Sequence, residues 1–401
     1  MNEICKPEIC TGCSACADVC PKKCVVLKED ALGAMHPCID ESICVDCDSC
    51  LRVCPSLINE DLHSRAEEVY VAWSKEDETR KSSASGGLAS ELYRYAISNG
   101  YVTYGVTYSR ELGAHFIEVK NEEDIQCVKN SKYVYSNAHG VYQQVKKHLA
   151  DGEKVLFIGL PCQVSAVKRF VGKWSANLYL VDIICHGVAP TTYLQQHIEY
   201  IEKRKQKKAD AISFRDPLYF TYTYTFTLKN DNEVFYKNTP KSRDVYQLGY
   251  HRALIYRENC YQCRFARAER IGDITIGDYS GLGRMGGYEG EHRNVSGFLC
   301  NSAKGKELKK QLEERCTFIQ RPVDEIFKYE KQLNHPSVPH INRKLFLESY
   351  LSFGDYEQAA HKALSKDLFD VSIHRGEWKK IIKDTLRQFI PQLILEARRQ
   401  K

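Results

Sequence analysis

From residue 69 onward, apolar residues come in short blocks separated by stretches of helical spacing, and that alternation predicts a mixed α/β fold. Residues 69–73 read as a strand, and after a charged loop Leu88, Leu92, Tyr95 and Ala96 mark one helix face. Residues 101–106 read as the next strand, 122–125 begin a short helix, 130–136 form a polar turn or strand edge, and 138–149 are helical. The run 155–160 is continuously apolar, as in a strand buried on both faces. Pro161 and Cys162 stop it, and Val164, Val167, Phe170 and Val171 then define a helix face. A second buried strand, 178–184, ends at Cys185, His186 and Gly187. Strand, helix, strand within about thirty residues is a βαβ unit whose strands run parallel and side by side. Cys162 and Cys185 are thereby predicted at one edge of a sheet, the edge where open α/β sheets place ligands.

Residues 191–205 are helical, and the basic run 203–208 reads as their solvated end. In 220–228 aromatic residues alternate with threonine, a turn follows at 229–232, and 234–236 completes a predicted hairpin. Then come Cys260 and Cys263, a short strand at 273–276, a glycine-rich turn at 277–283, a strand at 295–299 and a helix at 303–315. Residues 325–401 read as helices, ending in an amphipathic basic one at 378–399 that suits packing or an oligomer surface.

The first 60 residues break this pattern, because cysteine spacing replaces hydrophobic periodicity. Cys10, Cys13, Cys16, Cys20 and Pro21 are repeated by Cys44, Cys47, Cys50, Cys54 and Pro55. Both copies read C-x2-C-x2-C-x3-C-P, the spacing with which bacterial-type ferredoxins hold cubane clusters, the fourth cysteine of each copy reaching the other cluster. The expected ligand sets are Cys10, Cys13, Cys16 and Cys54 for one 4Fe-4S cluster, and Cys44, Cys47, Cys50 and Cys20 for the other. Zinc sites use paired cysteines or Cys/His mixtures instead, and disulfides need an oxidising compartment. Cys5, Cys24 and Cys38 are left over, and a small buried thiol is the default reading of each.

Composition is that of a globular protein of 401 residues, with a core of ordinary size. No secretory signal opens the chain and the longest apolar runs are too short for a bilayer, so a cytoplasmic protein with no membrane span is expected. The net charge of +5 conceals an asymmetry: residues 1–60 carry five Lys/Arg against ten Asp/Glu, and the remainder 52 against 42. An acidic head on a basic body suits intramolecular docking, an acidic electron donor or a phosphate-bearing cofactor. No basic patch interleaved with aromatics points to nucleic acid.

Cys260 and Cys263 are ambiguous alone: half a zinc site, a redox pair or two core thiols. Returned to the edge that carries Cys162 and Cys185, they would complete four thiolates. A third 4Fe-4S cluster on Cys162, Cys185, Cys260 and Cys263 is therefore expected, with a four-thiolate zinc site as its competitor. Clusters pass single electrons whereas most organic substrates take hydride equivalents, and a flavin converts between the two. No G-x-G-x-x-G stands in a strand–turn–helix setting. The candidate for a cofactor phosphate is Ser85-Gly86-Gly87 at the start of a helix, where backbone N–H groups favour anions and glycines permit close approach. A plain N-cap and turn is the competing reading.

Taken together, Ser85-Gly86-Gly87-Leu88, Ser131-Lys132-Tyr133-Val134, Leu160-Pro161-Cys162-Gln163, Ile184-Cys185-His186-Gly187, Ser213-Phe214-Arg215-Asp216, Cys260-x-x-Cys263 and Gly277-Asp278-Tyr279 resemble, in order, the coenzyme F-420 hydrogenase/dehydrogenase beta-subunit family. The resemblance runs through nearly the whole chain, including a ferredoxin-like head. It implies an FAD-containing iron–sulfur protein in which Ser85, Gly86 and Gly87 hold FAD phosphates, Lys132 and Tyr133 line the flavin site, and Gly277, Asp278 and Tyr279 approach the cofactor. Asn130 stands where members often have glycine, and asparagine tolerates a positive φ.

The resulting expectation is an α/β (mixed α+β) protein. Residues 1–60 form a two-cluster ferredoxin-like module, 61–320 a mixed-sheet flavin and third-cluster domain with helices on its faces, and 321–401 a helical tail. Its expected function is that of an iron–sulfur flavoprotein oxidoreductase, taking electrons from a ferredoxin or another redox protein and reducing a small organic substrate. His186, Arg215 and Tyr279 are the candidate proton donors. The alternative is an electron-transfer, deazaflavin-reducing subunit docked to a hydrogenase or dehydrogenase; a homo-oligomer is equally compatible with the sequence.

Overall fold

The computed structural model describes residues 3–57 and 65–374. Its strands are β1 (Val25–Glu29), β2 (Met35–Ile39), β3 (Glu68–Ser74), β4 (Val102–Ser109) and β5 (Gly113–Glu118). There follow β6 (Ser136–Asn137), β7 (Val155–Gly159), β8 (Leu178–Ile183), β9 (Ala211–Ser213) and β10 (Phe226–Asn230). The last are β11 (Glu233–Asn238), β12 (Ile274–Asp278), β13 (Ser296–Cys300) and β14 (Cys316–Arg321). Nine strands form one sheet in the order β14-β3-β13-β12-β8-β7-β4-β5-β6. Its middle is parallel: Val102 lies opposite Val155, Val155 opposite Leu178, and Ile274 opposite Val181. The expected βαβ unit is β7, the helix Pro161–Val171 and β8. β12 lies parallel on the far side of β8, so three carboxyl ends share one edge.

The apolar runs at the centre fill two cores. Val155 and Phe157 of β7, with Leu178 and Leu180 of β8, face a cluster containing Val164, Val167 and Phe170. Leu156, Ile158 and Val181 face the opposite cluster, with Leu88, Leu92 and Ala96 of the helix Leu88–Ser98. Period two along a strand thus delivers alternate side chains to opposite faces, and each fully buried Val, Leu or Phe contributes about 1.5–3 kcal/mol. A second sheet, β11-β10-β9, packs with the helices Thr191–Lys205, Val245–His251 and Tyr356–Ala363 around a third core.

Three strands and two helices were not expected, among them the three-residue β9 and the helix Val245–His251. β5 and β14 carry little alternation, β14 being a half-exposed outer strand, and Asp77–Ser82 is a short helix of mostly polar residues. The strand expected at 220–228 begins only at Phe226. Before it, Pro217–Tyr219 and Thr221–Thr223 are single 3-10 turns, with Phe220 and Tyr224 at φ of 63° and 54°. The cause is polar and tertiary. Arg215 Nε donates to the Thr221 carbonyl at 2.8 Å, and the Tyr224 hydroxyl donates to Asp278 Oδ2 at 2.6 Å, drawing the segment off the sheet. The helical reading of the C-terminal region holds for Val323–Tyr329, Arg343–Phe353, Tyr356–Ala363 and Ser365–His374; the helix expected at 378–399 lies outside the described residues.

The N-terminal residues dock on the same core as β7. Ala15 and Val53 join the Phe157 and Phe170 cluster. Asp18 accepts the Gly140 N–H at 2.8 Å and pairs with His139 at 2.6 Å, while Arg264 donates to the Ser56 carbonyl at 3.0 Å. Tyr135 donates to the Gly12 carbonyl at 2.6 Å. Among the described residues no helix is long and apolar enough to cross a membrane.

Candidate functional site

The eight motif cysteines divide around two small cavities. Cys10, Cys13, Cys16 and Cys54 line one; Cys20, Cys44, Cys47 and Cys50 line the other. Each set draws three thiols from one copy and the fourth from the other. The backbone repeats with the spacing: Gly12 and Asp46, then Ser14 and Asp48, hold φ of 66°, 48°, 72° and 57°. These left-handed turns curl each loop before the helices Ala15–Val19 and Ser49–Val53 begin. The first four thiols are buried, whereas Cys47 is exposed and Cys20, Cys44 and Cys50 are half-buried. One site faces the body and the other faces solvent.

Two of the leftover cysteines stand at these sites. Cys5 lines the first cavity, and its thiol beside Cys10 and Cys54 favours their thiolate forms. Cys24 lines the second, with its Sγ 3.3 Å from that of Cys20. Both lie outside the repeated spacing, so nothing in the sequence pattern marks them; only the fold brings them in.

Cys162, Cys185, Cys260 and Cys263 line a third cavity together with Thr11 and Tyr135. Cys162 occupies the first turn of Pro161–Val171, Cys185 follows β8, and Cys260 lies in the 3-10 turn Glu258–Gln262 with Cys263 just past it. Burial, reinforced by the other thiols, pushes Cys162 and Cys185 far up and Cys260 to about 11. Such thiols stay protonated until a metal displaces the protons. Among the described residues no group of three or more His, Cys, Asp or Glu side chains is arranged to hold a single metal ion. Cys13 of the first site also acts electrostatically on Cys162, so these two sites are neighbours.

Behind the third cavity lies a much larger one, about 470 Å³, at the carboxyl ends of β7, β8 and β12. Leu160, Gln163 and His186 line both cavities and form the wall between them. Of the residues expected at a flavin, Ser85, Gly87, Lys132, Tyr133, Gly277 and Asp278 line this cavity. Gly86 and Tyr279 do not. The Gly86 N–H donates to Ser296 Oγ at 2.8 Å, and a Cβ there would meet the Ala72 carbonyl at 2.4 Å, so this glycine lets the loop lie against β3. The Tyr279 hydroxyl donates to Glu325 at 2.9 Å. Gly87, at φ 86°, precedes the helix Leu88–Ser98 and supplies its open N-terminus. Asn130 holds φ 68°, as glycine would.

The cavity's polar groups are tuned by burial. Lys132 is driven down to about 7, and its Nζ donates to the carbonyls of Val128 and Lys129 at 2.8 and 2.9 Å. Burial likewise raises Tyr133 to about 12. Arg215, nearly inaccessible, donates from Nη1 to Asp278 Oδ2 at 2.8 Å and lies 4.2 Å over the Tyr224 ring. Its charge is retained: burial is the largest effect and opposes it, but Asp278 together with Tyr133 and Tyr224 more than offsets burial and holds its pKa up. His251, unforeseen, lines the cavity while remaining exposed to solvent on its outer side; packing of its ring and, to a smaller extent, His186 and Arg215 nearby lower it to about 4. It ends the helix Val245–His251, and helical periodicity carries no mark of that role. His186 and Arg215, two of the candidate proton donors, line the cavity as well.

Comparison with known proteins returns matching descriptions. A family model for the C terminus of the coenzyme F420 hydrogenase/dehydrogenase beta subunit matches residues 152–325, and its N-terminal counterpart matches 69–142. A 4Fe-4S dicluster domain matches 9–58. The coenzyme F420-dependent sulfite reductase of Methanocaldococcus jannaschii is 24% identical over 170 residues, 42% of this chain and 26% of that protein. The chain thus spans about a quarter of that relative's length. A chain of the F420-reducing NiFe hydrogenase complex from Methanosarcina barkeri is 15% identical at a TM-score of 0.44, covering 77% of this chain and 94% of that one.

Proposed function

Because the chain belongs to the coenzyme F420 hydrogenase/dehydrogenase beta-subunit family and carries a 4Fe-4S dicluster domain, we propose an iron–sulfur flavoprotein oxidoreductase with a three-cluster relay. The observation that carries the reading is the series of cavities. The solvent-facing Cys20/Cys44/Cys47/Cys50 site adjoins the buried Cys10/Cys13/Cys16/Cys54 site. That one adjoins the Cys162/Cys185/Cys260/Cys263 site, which shares a wall with the large cavity.

When bound, 4Fe-4S clusters supply single-electron storage, and FAD in the large cavity converts single electrons to hydride equivalents. The protein's own groups do the rest. Gly87 and Ser85 place a helix N-terminus, with its unbonded N–H groups, where a cofactor phosphate binds. Arg215 and Asp278 position the polar end of the bound molecule, and Tyr133 offers it an apolar ring. His251, neutral at pH 7, presents an uncharged imidazole whose ring nitrogens can hydrogen-bond the reacting end of the bound molecule. Exposed Cys47 places the second N-terminal site within reach of a ferredoxin or another redox protein, and the reduced product is a small organic molecule.

A second reading takes the family name at face value: the large cavity holds a deazaflavin coenzyme as hydride partner, and the chain serves as the electron-transfer subunit of a larger hydrogenase or dehydrogenase assembly. The similarity to a coenzyme F420-dependent reductase favours it. Anaerobic purification with iron, sulfide, zinc, flavin and deazaflavin analysis separates the two. About twelve iron and one FAD per chain support the first, since each cubane holds four. About eight iron with zinc removes the third cluster. Absence of FAD with tight binding of added coenzyme F420 supports the second.

A further inference from the structure

We propose that Arg257 is the shared counter-charge of the first N-terminal site and the third site, raising the reduction potential of both and so matching them for electron passage. This rests on the three-cluster reading above. Arg257 is 2% exposed. Its Nη2 donates to the carbonyls of Cys10 at 3.2 Å and Met35 at 2.9 Å, and its Nε to Asn259 Oδ1 at 3.4 Å. Every acceptor is neutral, and buried Nη1 has no partner. Among the described residues no carboxylate pairs with it. It lies 5.1 Å over the Tyr135 ring, but a guanidinium at that depth without a counter-charge is strongly destabilising unless an anion lies nearby.

The neighbours supply the anions. Arg257 stands between the first site and the third: its Nη2 reaches the Cys10 carbonyl, and its own carbonyl accepts the Cys260 N–H at 3.0 Å. A cubane with four thiolates is anionic overall, and one charge more so when reduced, so a fixed positive charge favours the reduced form. Passage between the sites is one-electron exchange: one is reduced as the other is oxidised, and no bond or proton moves. The first copy of the motif is built around this contact. A Cβ at Gly12 would lie 2.9 Å from Arg257 Nη2, whereas the corresponding residue of the solvent-facing copy is exposed Asp46.

The test is an anaerobic redox titration of the holoprotein followed by EPR, with iron counted in every sample. In Arg257→Gln, two of the three couples should move to lower potential by about tenfold in the reduced-to-oxidised ratio, which is about 59 mV for one electron, with the third couple unmoved. Arg257→Lys should restore most of the shift. Asn259→Asp, which offers the guanidinium a carboxylate without deleting it, should lower the same two couples, and it decides the matter if Arg257→Gln loses iron. Unmoved potentials in Arg257→Gln and Asn259→Asp, an equal shift of all three, or a Lys variant behaving as Gln would overturn the proposal. A wild-type protein with only two EPR-active couples refutes the three-cluster reading instead.

Discussion

Arg215 and Asp278 close an ion pair of 2.8 Å across the large cavity, joining the loop after β9 to the end of β12. The two partners are unequally buried, the arginine side chain being 6% exposed and the aspartate 40%. That inequality decides what breaking the pair costs. Asp278→Asn leaves a buried cation short of its counter-charge, and should lower stability by about 1–3 kcal/mol. Arg215→Gln leaves a carboxylate that water can reach, and should cost less. Urea unfolding of both variants checks the order, and an equal or reversed order refutes this account.

Replacing a thiol of the third site should subtract one cluster and leave the others. Cys162→Ser and Cys260→Ser should each reduce iron from about twelve to about eight per chain, with the N-terminal EPR signals intact. Cys24→Ser and Cys38→Ser should retain full iron, because four other cysteines surround each N-terminal cavity.

His251 gives a pH dependence whose sign follows from its environment. Desolvation, aided by His186 and Arg215, lowers its pKa in the folded protein to about 4, against about 6.5 in the unfolded chain. Between those values the unfolded chain binds a proton that the folded one refuses, so stability falls as pH drops from 6.5 towards 4. His251→Gln should remove that component. The urea midpoints of wild type and variant, compared at pH 7 and pH 4.5, should differ most in their acid-side decline, the variant losing less.

Gly12 and Asp46 occupy corresponding positions of the two motif copies, both at positive φ, so a substitution tests docking separately from the turn itself. Gly12→Ala adds about 1–2 kcal/mol of left-handed strain together with the collision against Arg257. It should lower the thermal midpoint and loosen the first site's iron. Asp46→Ala, exposed and free of that collision, should cost less than Gly12→Ala and leave iron content unchanged.

Local order was legible wherever one interaction dominated. Continuous apolar runs announced β7 and β8, and the parallel pairing of a βαβ unit then put Cys162 and Cys185 on one edge, where they are found. β5 and β14 escaped because their side chains are only partly buried and their pairing comes from neighbours distant in sequence. The segment 220–225 has strand propensity, yet Arg215 and Asp278, neither in that segment, bend it into turns.

The sequence by itself determined the two motif copies, since ligand spacing on one short segment is a local property. It also determined the central parallel unit, since burial on both faces leaves a continuous apolar run. Tertiary structure alone decided which glycine at 85–87 packs against the sheet and which opens a helix, and drew Cys5 and Cys24 to the thiol-lined cavities. It also placed Tyr279 away from the large cavity and His251 in it, and set Arg257 between two thiol sites. Each of these depends on what a distant segment brings into contact, and a charge or thiol acquires its role from neighbours within a few ångströms in space, whatever their separation along the chain.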